Sequence, residues 1–368
     1  MGRCTLRHMA FWKSAPRKVV IERPKGGSQR WTRASSGGQL RSVRVVDIHR
    51  ETPTAVTVLV EPEDGRRIVF RAGQYLTHCF SVNGEIVKRA YSLSAPEGGA
   101  LAFTVKSLSG GVASMHVSQR LSVGDRYSIA GPSGDFLLEP TSRRPLVFLA
   151  AGSGITPVIS LMETALALDP ERKLRLVYAS RSQGEIIFRD RLDVFARRHP
   201  GVEIIHVLSQ PAPAWSGESG RLTGERAAAL LGAGDNDYYL CGPMALMDAT
   251  EKALRASGVA AAQIRRERFL AAPKSSAAKP ASAQEIVFKR SNRSVQQQIG
   301  ETILEAALRE GVALPFSCTV GGCASCKVHV LEGEVALNEP NCLAADEKAQ
   351  GYTLTCSAYA ASRVTIDF

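Results

Sequence analysis

The sequence predicts a multidomain chain: an antiparallel β-barrel, then an α/β domain with a doubly wound parallel sheet, then a small β-rich domain built around cysteines. Three observations carry this. From Leu40 to about Pro140, short β-like runs alternate with Gly, Pro and Asp at roughly the 8–12-residue spacing of small barrels and sandwiches. From Arg144 onward, strand and helix patterns alternate, which implies a parallel sheet with helices on both faces. Four of the eight cysteines then fall into one spaced pattern near the C-terminus. A length of 368 residues suits two to three domains at roughly 100–200 residues each.

Residues 1–39 lack a sustained apolar period and are rich in Arg, Lys, Gly and Ser, so they are expected to be a flexible basic extension. The barrel is expected over 40–141, with runs VRVVDI, TAVTVLV, RIVFRAGQYLTHCF, KRAYSLS, LAFTVKSL and RYSIAG. The α/β domain is expected over 142–272, opening on the apolar strand PLVFLAAGSG and closing on IRRERFL. Residues 273–283 fall in an Ala/Ser/Pro/Lys-rich stretch with the composition of a linker. The last domain, 284–368, has strand EIVFKRS, helix ETILEAALREG closed by Gly311, a cysteine loop, strand runs CKVHVLEG and GYTLTCSA, and terminal RVTIDF.

The net charge of +11 would suggest a polyanion-binding protein, but its distribution withdraws that. Residues 1–44 carry net +10 and the remaining 324 residues net +1. A nucleic-acid partner is therefore not expected. The extension is expected to be a solvated tail; its second reading is peripheral contact with an anionic membrane surface, directly or beside a membrane-bound partner. No apolar run approaches the roughly 18–20 residues of a membrane span, and the N-terminus lacks a signal-peptide core. Its acid-poor, Arg-rich start leaves a transit peptide as a minor reading. The cysteine usage is not that of a secreted disulfide framework, which favours a reducing, cytoplasmic compartment.

Cys318, Cys323, Cys326 and Cys356 give C-x4-C-x2-C-x29-C. Three lie on one loop, FSCTVGGCASC, whose Gly321 and Gly322 let the backbone wrap tightly, and a later strand supplies the fourth. This is the plant-type [2Fe–2S] spacing, whereas a structural zinc site favours two separated C-x2-C pairs. LPFSCTVGGCASCKV…GYTLTC resembles the plant-type ferredoxin domain, which implies a β-grasp fold. Cys342 lies outside the pattern. The seven histidines form no HxxxH or HxH pair, so no other metal site is expected.

In RAYS (89–92), Arg89 suits a pyrophosphate, Tyr91 a stacked isoalloxazine, and Ser92 a hydrogen bond to the ring edge. On four residues alone, an ordinary half-buried strand is the stronger reading. GGVAS (110–114) changes the balance, because glycines and a serine opening a helix form an anion site from free amides and the helix dipole. The pair resembles the RxYS and GGxxS elements of the ferredoxin–NADP reductase superfamily. Arg89, Tyr91, Ser92, Gly110, Gly111 and Ser114 match, which implies FAD, or less often FMN.

AGSGITP (151–157), at a strand-to-helix turn, is similar to the superfamily's NAD(P) loop, with Gly152 and Gly154 beside the dinucleotide and Thr156 near nicotinamide and flavin. CGPM (241–244) matches its second signature, which puts Cys241, Gly242 and Pro243 at the nicotinamide. The resemblance also implies that Ser180 and Arg181 contact a 2′-phosphate, a lean toward NADPH over NADH. Ser92, Thr156 and Cys241 are the residues implied to shape hydride transfer. Phe269, in ERF (267–269), is expected to pack.

The domain order resembles reductase components of oxygenases and desaturases, such as those serving phenylacetyl-CoA epoxidation. That implies an NAD(P)H:acceptor oxidoreductase passing electrons through FAD and a [2Fe–2S] cluster, one at a time, to a partner oxygenase, hydroxylase or desaturase. The electron-transfer subunit of dihydroorotate dehydrogenase places its last cysteine much closer to the third, and residues 1–39 are too short for the globin of a flavohaemoglobin. The alternative outside catalysis is a redox-sensing or scaffold module that binds dinucleotide and partner without turnover.

Overall fold

The computed structural model describes residues 40–269 and 282–368, apart from 317 and 340. The expected extension, 1–39, and residues 273–281 of the expected linker lie outside the described residues.

The first unit contains β1 (Arg41–Thr52), β2 (Ala55–Pro62), β3 (Tyr75–Val82), β4 (Glu85–Ser92), β5 (Leu101–Lys106), α1 (Val112–Gln119) and β6 (Arg126–Ser133). Its strands form one antiparallel sheet in the order β4-β3-β6-β1-β2-β5. Leu93, just past β4, bridges Phe103 of β5 and brings the sheet's two ends together, as a barrel requires. Val43, Val58, Leu76, Phe80, Phe103 and Ile129 fill the interior, and α1 adds Ala113 and Val117. The run RIVFRAGQYLTHCF reads as one strand, but β3 starts only at Tyr75. The chain bends at Gly73 (φ +87°), where a Cβ would lie 1.9 Å from the Phe136 carbonyl oxygen. Ile68 and Phe70 are buried from this irregular approach and so mimic a strand pattern. β3 and β4 join through Asn83 (φ 53°) and Gly84 (φ 83°), the two left-handed positions of a tight hairpin turn.

The second unit contains β7 (Leu146–Ala151), α2 (Ile155–Leu168), β8 (Leu174–Ser180), α3 (Arg189–Arg198), β9 (Val202–Leu208), β10 (Glu218–Ser219), α4 (Gly224–Leu231), β11 (Asp237–Cys241), α5 (Met244–Ala256) and β12 (Ile264–Glu267). The sheet is parallel throughout, in the order β10-β9-β8-β7-β11-β12. Alternate residues of β7 serve opposite cores. Leu146, Phe148 and Ala150 meet Ile159 and Met162 of α2 and Leu192 of α3. Val147 and Leu149 meet Leu231 of α4 and Met247 and Leu254 of α5. The strand order reverses between β7 and β11, and doubly wound sheets bind ligands outside the strand ends at that point.

Two loops share that place. Residues 152–154 make one 3-10 turn into α2, and Gly242-Pro243 turn from β11 into α5. A Cβ on Gly154 would sit 2.1 Å from the Cys241 carbonyl oxygen, and one on Gly242 would sit 2.9 Å from the Ala151 side chain. The first and second units are also bolted together. Ser160 of α2 donates to the Ala95 carbonyl at 2.6 Å, and Arg191 of α3 donates to the Ser94 carbonyl at 3.0 Å while gripping Glu163 with two 2.6 Å hydrogen bonds.

The third unit contains β13 (Gln284–Phe288), β14 (Arg293–Gln297), α6 (Ile303–Arg309), β15 (Lys327–Glu332), β16 (Val335–Leu337), α7 (Ala345–Ala349), β17 (Tyr352–Leu354), β18 (Ala358–Ala360) and β19 (Val364–Ile366). Its sheet runs β14-β13-β19-β15-β17, with β13 and β19 parallel and β16–β18 a separate pair. α6 starts in a capping box: the Thr302 hydroxyl accepts from the Glu305 amide at 3.2 Å, and the Glu305 carboxylate accepts from the Thr302 amide at 2.9 Å. It ends where expected, before Gly311 (φ +71°). β14 has no counterpart in the sequence reading, because RSVQQ offers a single buried apolar residue, Val295. GYTLTCSA is divided rather than one strand: turn residues 355–357 separate β17 from β18 and present Cys356 to the cysteine loop.

The crowding at the switch point predicts a graded response. Gly154→Ala overpacks two backbones and should destabilise by about 1–3 kcal/mol or more. Gly152→Ala meets open space, carries only left-handed strain, and should lower the calorimetric Tm less.

Candidate functional site

The cysteine loop lies between α6 and β15, and it curls because three residues adopt left-handed backbone: Thr319 (φ 54°), Gly321 (φ 75°) and Ala324 (φ 58°). A Cβ on Gly321 would come within 2.7 Å of the Ser357 hydroxyl, so the loop closes onto the Cys356 turn only with glycine there. Cys318, Cys326 and Cys356 are buried and Cys323 is half-buried. The Cys326 and Cys356 sulfurs lie 3.3 Å apart, and Cys318 contacts both Cys323 and Cys356. Amides of Gly322 and Val320 point at the Cys318 sulfur (3.1 and 3.5 Å), and that of Gly321 points at the Cys356 sulfur (3.3 Å). Among the described residues no trio of His, Cys, Asp or Glu forms a preset single-ion cage; the thiols run instead as a chain of pairs. Crowding opposes ionisation of Cys318, Cys323 and Cys356. The Cys323 thiol is pushed up by the neighbouring Cys318 and by burial. At Cys356 the Cys318 contact works downward, yet Cys326 and burial prevail and push the thiol up to about 12. Cysteines bind metal as thiolates, so cation binding drives off the thiol protons. The donor set and its amides therefore fit a [2Fe–2S] cluster.

In the β3–β4 hairpin, Leu76, His78 and Phe80 share one face with Tyr91, Arg89 and Val87, since Leu76 pairs with Tyr91 and His78 with Arg89. Tyr91 stacks on Phe103, with ring centroids 5.7 Å apart and planes 16° apart. Burial pushes its hydroxyl up to about 12 against the opposing charge of Arg89. His78 is fully buried in the same aromatic cluster, and burial holds its imidazole down to about 3. Its Nδ1 meets the Tyr127 hydroxyl at 3.0 Å. Arg89 is partly buried, and burial lowers its pKa. Ser92 is buried on the opposite face.

Gly111 is the N-cap of α1, with no side-chain cap and no acidic residue in the first turn. The Ser114 hydroxyl does not face outward from that turn. It accepts from the Leu108 amide at 3.1 Å and donates to the Gly111 carbonyl at 3.2 Å, so it fastens the loop. Gly110 (φ +74°) borders open space. Uncapped amides at this turn, with Arg89 and Tyr91 on β4, are donors and an aromatic face suited to the pyrophosphate and ring of FAD.

At the switch point Thr156 is 2% exposed and donates to the Ser153 carbonyl at 3.0 Å. Cys241 is fully buried, and burial followed by the charge of Glu267 raises its thiol well above the ordinary value. Gly154 contacts the CGP turn, whereas Gly152 borders open space. Ser180 ends β8 buried, and Arg181 beyond it is exposed.

Three further residues complete the site. Tyr178, fully buried in β8, donates to the Gly152 carbonyl at 3.0 Å and accepts from the Ile187 amide at 3.3 Å. Thr77 donates to the Cys318 carbonyl at 3.1 Å, joining barrel to cysteine loop. Glu267 pairs in register with Cys241. Burial, then the charges of Cys323 and Asp135, push its carboxyl up to about 8. Glu267 therefore stands beside CGP, within electrostatic reach of the cysteine loop. The sequence signal for it is ERF, in which Phe269 is the more conspicuous residue. Phe269 is 40% exposed rather than packed, because β12 stops at Glu267 and the chain leaves the sheet.

Family models describe the three parts: an oxidoreductase FAD-binding domain over 46–137, an oxidoreductase NAD-binding domain over 148–252, and a 2Fe-2S iron-sulfur cluster binding domain over 286–361. The chain is 33% identical to a subunit of the 1,2-phenylacetyl-CoA epoxidase of Escherichia coli K12, over 89% of this chain and 97% of that protein. It is 27% identical to the glycine betaine monooxygenase reductase subunit of Chromohalobacter salexigens, over 93% and 97% of the two chains. Among solved structures, phthalate dioxygenase reductase matches with a TM-score of 0.63 and 25% identity, covering 89% of this chain and 98% of the other. Three binding domains in one order, over nearly the full length of such reductase subunits, make this chain an oxidoreductase of their family, built to use FAD, a nicotinamide dinucleotide and a [2Fe–2S] cluster.

Proposed function

We propose that the chain takes hydride equivalents from NAD(P)H and delivers electrons singly to a separate oxygenase, hydroxylase or desaturase. The observation that carries this is the meeting of three elements in one corner: Cys241 beside Glu267, Glu267 within electrostatic reach of Cys323, and Thr77 on the Cys318 carbonyl. FAD, when bound, accepts two electrons and releases them one by one, the exchange that iron–oxygen chemistry requires. The protein's own part is placement. Arg89 and the α1 amides hold the diphosphate, Tyr91 presents its ring, and Ser92, Thr156 and Cys241 border the nicotinamide and flavin edge. Gly152, Gly154, Gly242 and Pro243 hold the dinucleotide chain, and Cys318, Cys323, Cys326 and Cys356 hold the iron. No acid–base pair is required of the side chains. Steady-state reduction of ferricyanide or cytochrome c by the flavin-loaded, cluster-replete protein tests the reading; no turnover would leave the sensor or scaffold alternative.

The donor is proposed to be NADPH. Arg181 stands exposed at the end of β8, and Ser180, not an acidic residue, ends that strand. The proposed location is cytoplasmic, with the basic extension a solvated tail and contact with an anionic membrane, beside a membrane-bound partner, its second reading. No helix among the described residues is long and apolar enough to cross a membrane.

Cys323→Ser should abolish the visible absorbance of the cluster while NAD(P)H still reduces the flavin at the original rate. Arg181→Ala should raise KM for NADPH at least tenfold more than KM for NADH; equal effects would remove the NADPH assignment. Removing residues 2–38 should leave ferricyanide reduction intact and abolish co-sedimentation with anionic liposomes. Unchanged co-sedimentation would rule out the membrane contact.

A further inference from the structure

The β3–β4 hairpin serves two domains. Strand alternation divides it into two faces. Leu76, His78 and Phe80, with Tyr91, face the aromatic core of the barrel, and Arg89 lies on the same side of the hairpin, opposite His78. Tyr75, Thr77 and Cys79, with Ser92, Ala90 and Lys88, form the other face. That second face meets the ferredoxin domain twice. Thr77, 2% exposed, donates its hydroxyl hydrogen to the carbonyl of the cluster ligand Cys318. Lys88 pairs with Glu305 of α6 at 3.1 Å, in a more exposed position. Ser92 lies on this same face, two residues along β4 from the partner of Thr77, Ala90.

We infer that Thr77 is a positioning residue for electron passage from flavin to cluster, holding the Cys318 end of the cluster loop against the hairpin that also carries Arg89, Tyr91 and Ser92. This rests on the electron-transfer reading above. In the step concerned, one electron leaves the reduced flavin and one ferric iron of the cluster becomes ferrous. NAD(P)H has supplied the electron, and a proton leaves the flavin to solvent. Thr77 takes no part in the bond changes. Its hydroxyl fixes a carbonyl of the cluster loop against the hairpin, and electron transfer is sensitive to how closely the two centres are held.

The test uses full-length protein loaded with flavin and cluster, mixed anaerobically with NADPH, with flavin bleaching and cluster reduction followed separately by absorbance and by the electron paramagnetic resonance signal of the reduced cluster. Thr77→Val keeps the shape and removes the hydroxyl. It should reduce its flavin at the original rate, reduce its cluster at least tenfold more slowly, and still show full cluster signal with dithionite. Thr77→Ser should restore the rate. Cluster reduction at the original rate in Thr77→Val, no rescue by serine, or loss of iron from the valine variant would each overturn the positioning role. Lys88→Gln, which leaves the buried contact intact, gives a second reading. Internal transfer in the unmodified protein should slow with added salt, and the glutamine variant should lose that dependence; unchanged salt dependence would overturn docking on this face. Failure of the unmodified protein to pass any electron from NADPH to its cluster would instead overturn the electron-transfer reading.

Discussion

The missing side chain at position 154 lets two loops occupy nearly one place. A Cβ there would overlap the carbonyl of Cys241, so the turn after β7 and the turn after β11 touch backbone to backbone. From that contact the rest of the site is fixed outward. Tyr178 pins the Gly152 carbonyl from beneath. α2, starting at Ile155, carries Ser160 to the Ala95 carbonyl and Glu163 to Arg191, and Arg191 reaches Ser94. The barrel is thus locked to the α/β sheet through the helix that leaves the dinucleotide loop. β12 lies against β11 and puts Glu267 beside Cys241. Buried interfaces tolerate few arrangements, and this one ties the angle between domains to the geometry of a single loop.

The titratable groups of this corner share an electrostatic character. Burial holds His78 neutral by lowering its pKa to about 3, and holds Tyr91 neutral by raising it to about 12. It raises the Cys241 thiol, and it pushes the Glu267 carboxyl to about 8, so that at neutral pH the protonated form is favoured. Charged forms lose most on leaving water, so burial favours the uncharged state of each group. His78, Tyr91 and Cys241 are therefore poor proton shuttles at pH 7, whereas Glu267, at about 8, titrates close to neutrality. The formal charge of the chain is meanwhile concentrated in its first 44 residues, remote in sequence from this corner.

Much of this is legible in the sequence because each signal is local. C-x4-C-x2-C needs one loop, RAYS one strand, and AGSGITP one turn, and the rhythms of period two and alternating β and α are written in consecutive residues. What stays hidden depends on residues far apart. Thr77 and Cys318 are 241 positions apart, and nothing about a threonine inside an apolar strand announces a partner. Glu267 reads as a polar strand end until the sheet order sets it beside Cys241. β14 escapes sequence reading because an edge strand with one buried apolar residue has no apolar pattern. The approach to β3 reads as strand because Ile68 and Phe70 alternate like one while Gly73 turns the chain. Ser114 matches its motif, yet its hydroxyl closes the loop on itself, a detail that only hydrogen-bond geometry supplies.

The hairpin between β3 and β4 turns on two residues, Asn83 and Gly84, both left-handed. Such a turn fixes the pairing to the residue, beginning with Val82 opposite Glu85. Side chains alternate along a strand, so a slip of one residue turns every side chain of the slipped strand to the other face. Here a one-residue slip would set Thr77 opposite Tyr91 or Arg89 and so bring onto one face residues that now serve different domains. This two-residue turn therefore acts as a parity device: register changes of two residues preserve which side faces which domain, and changes of one mix the two sides.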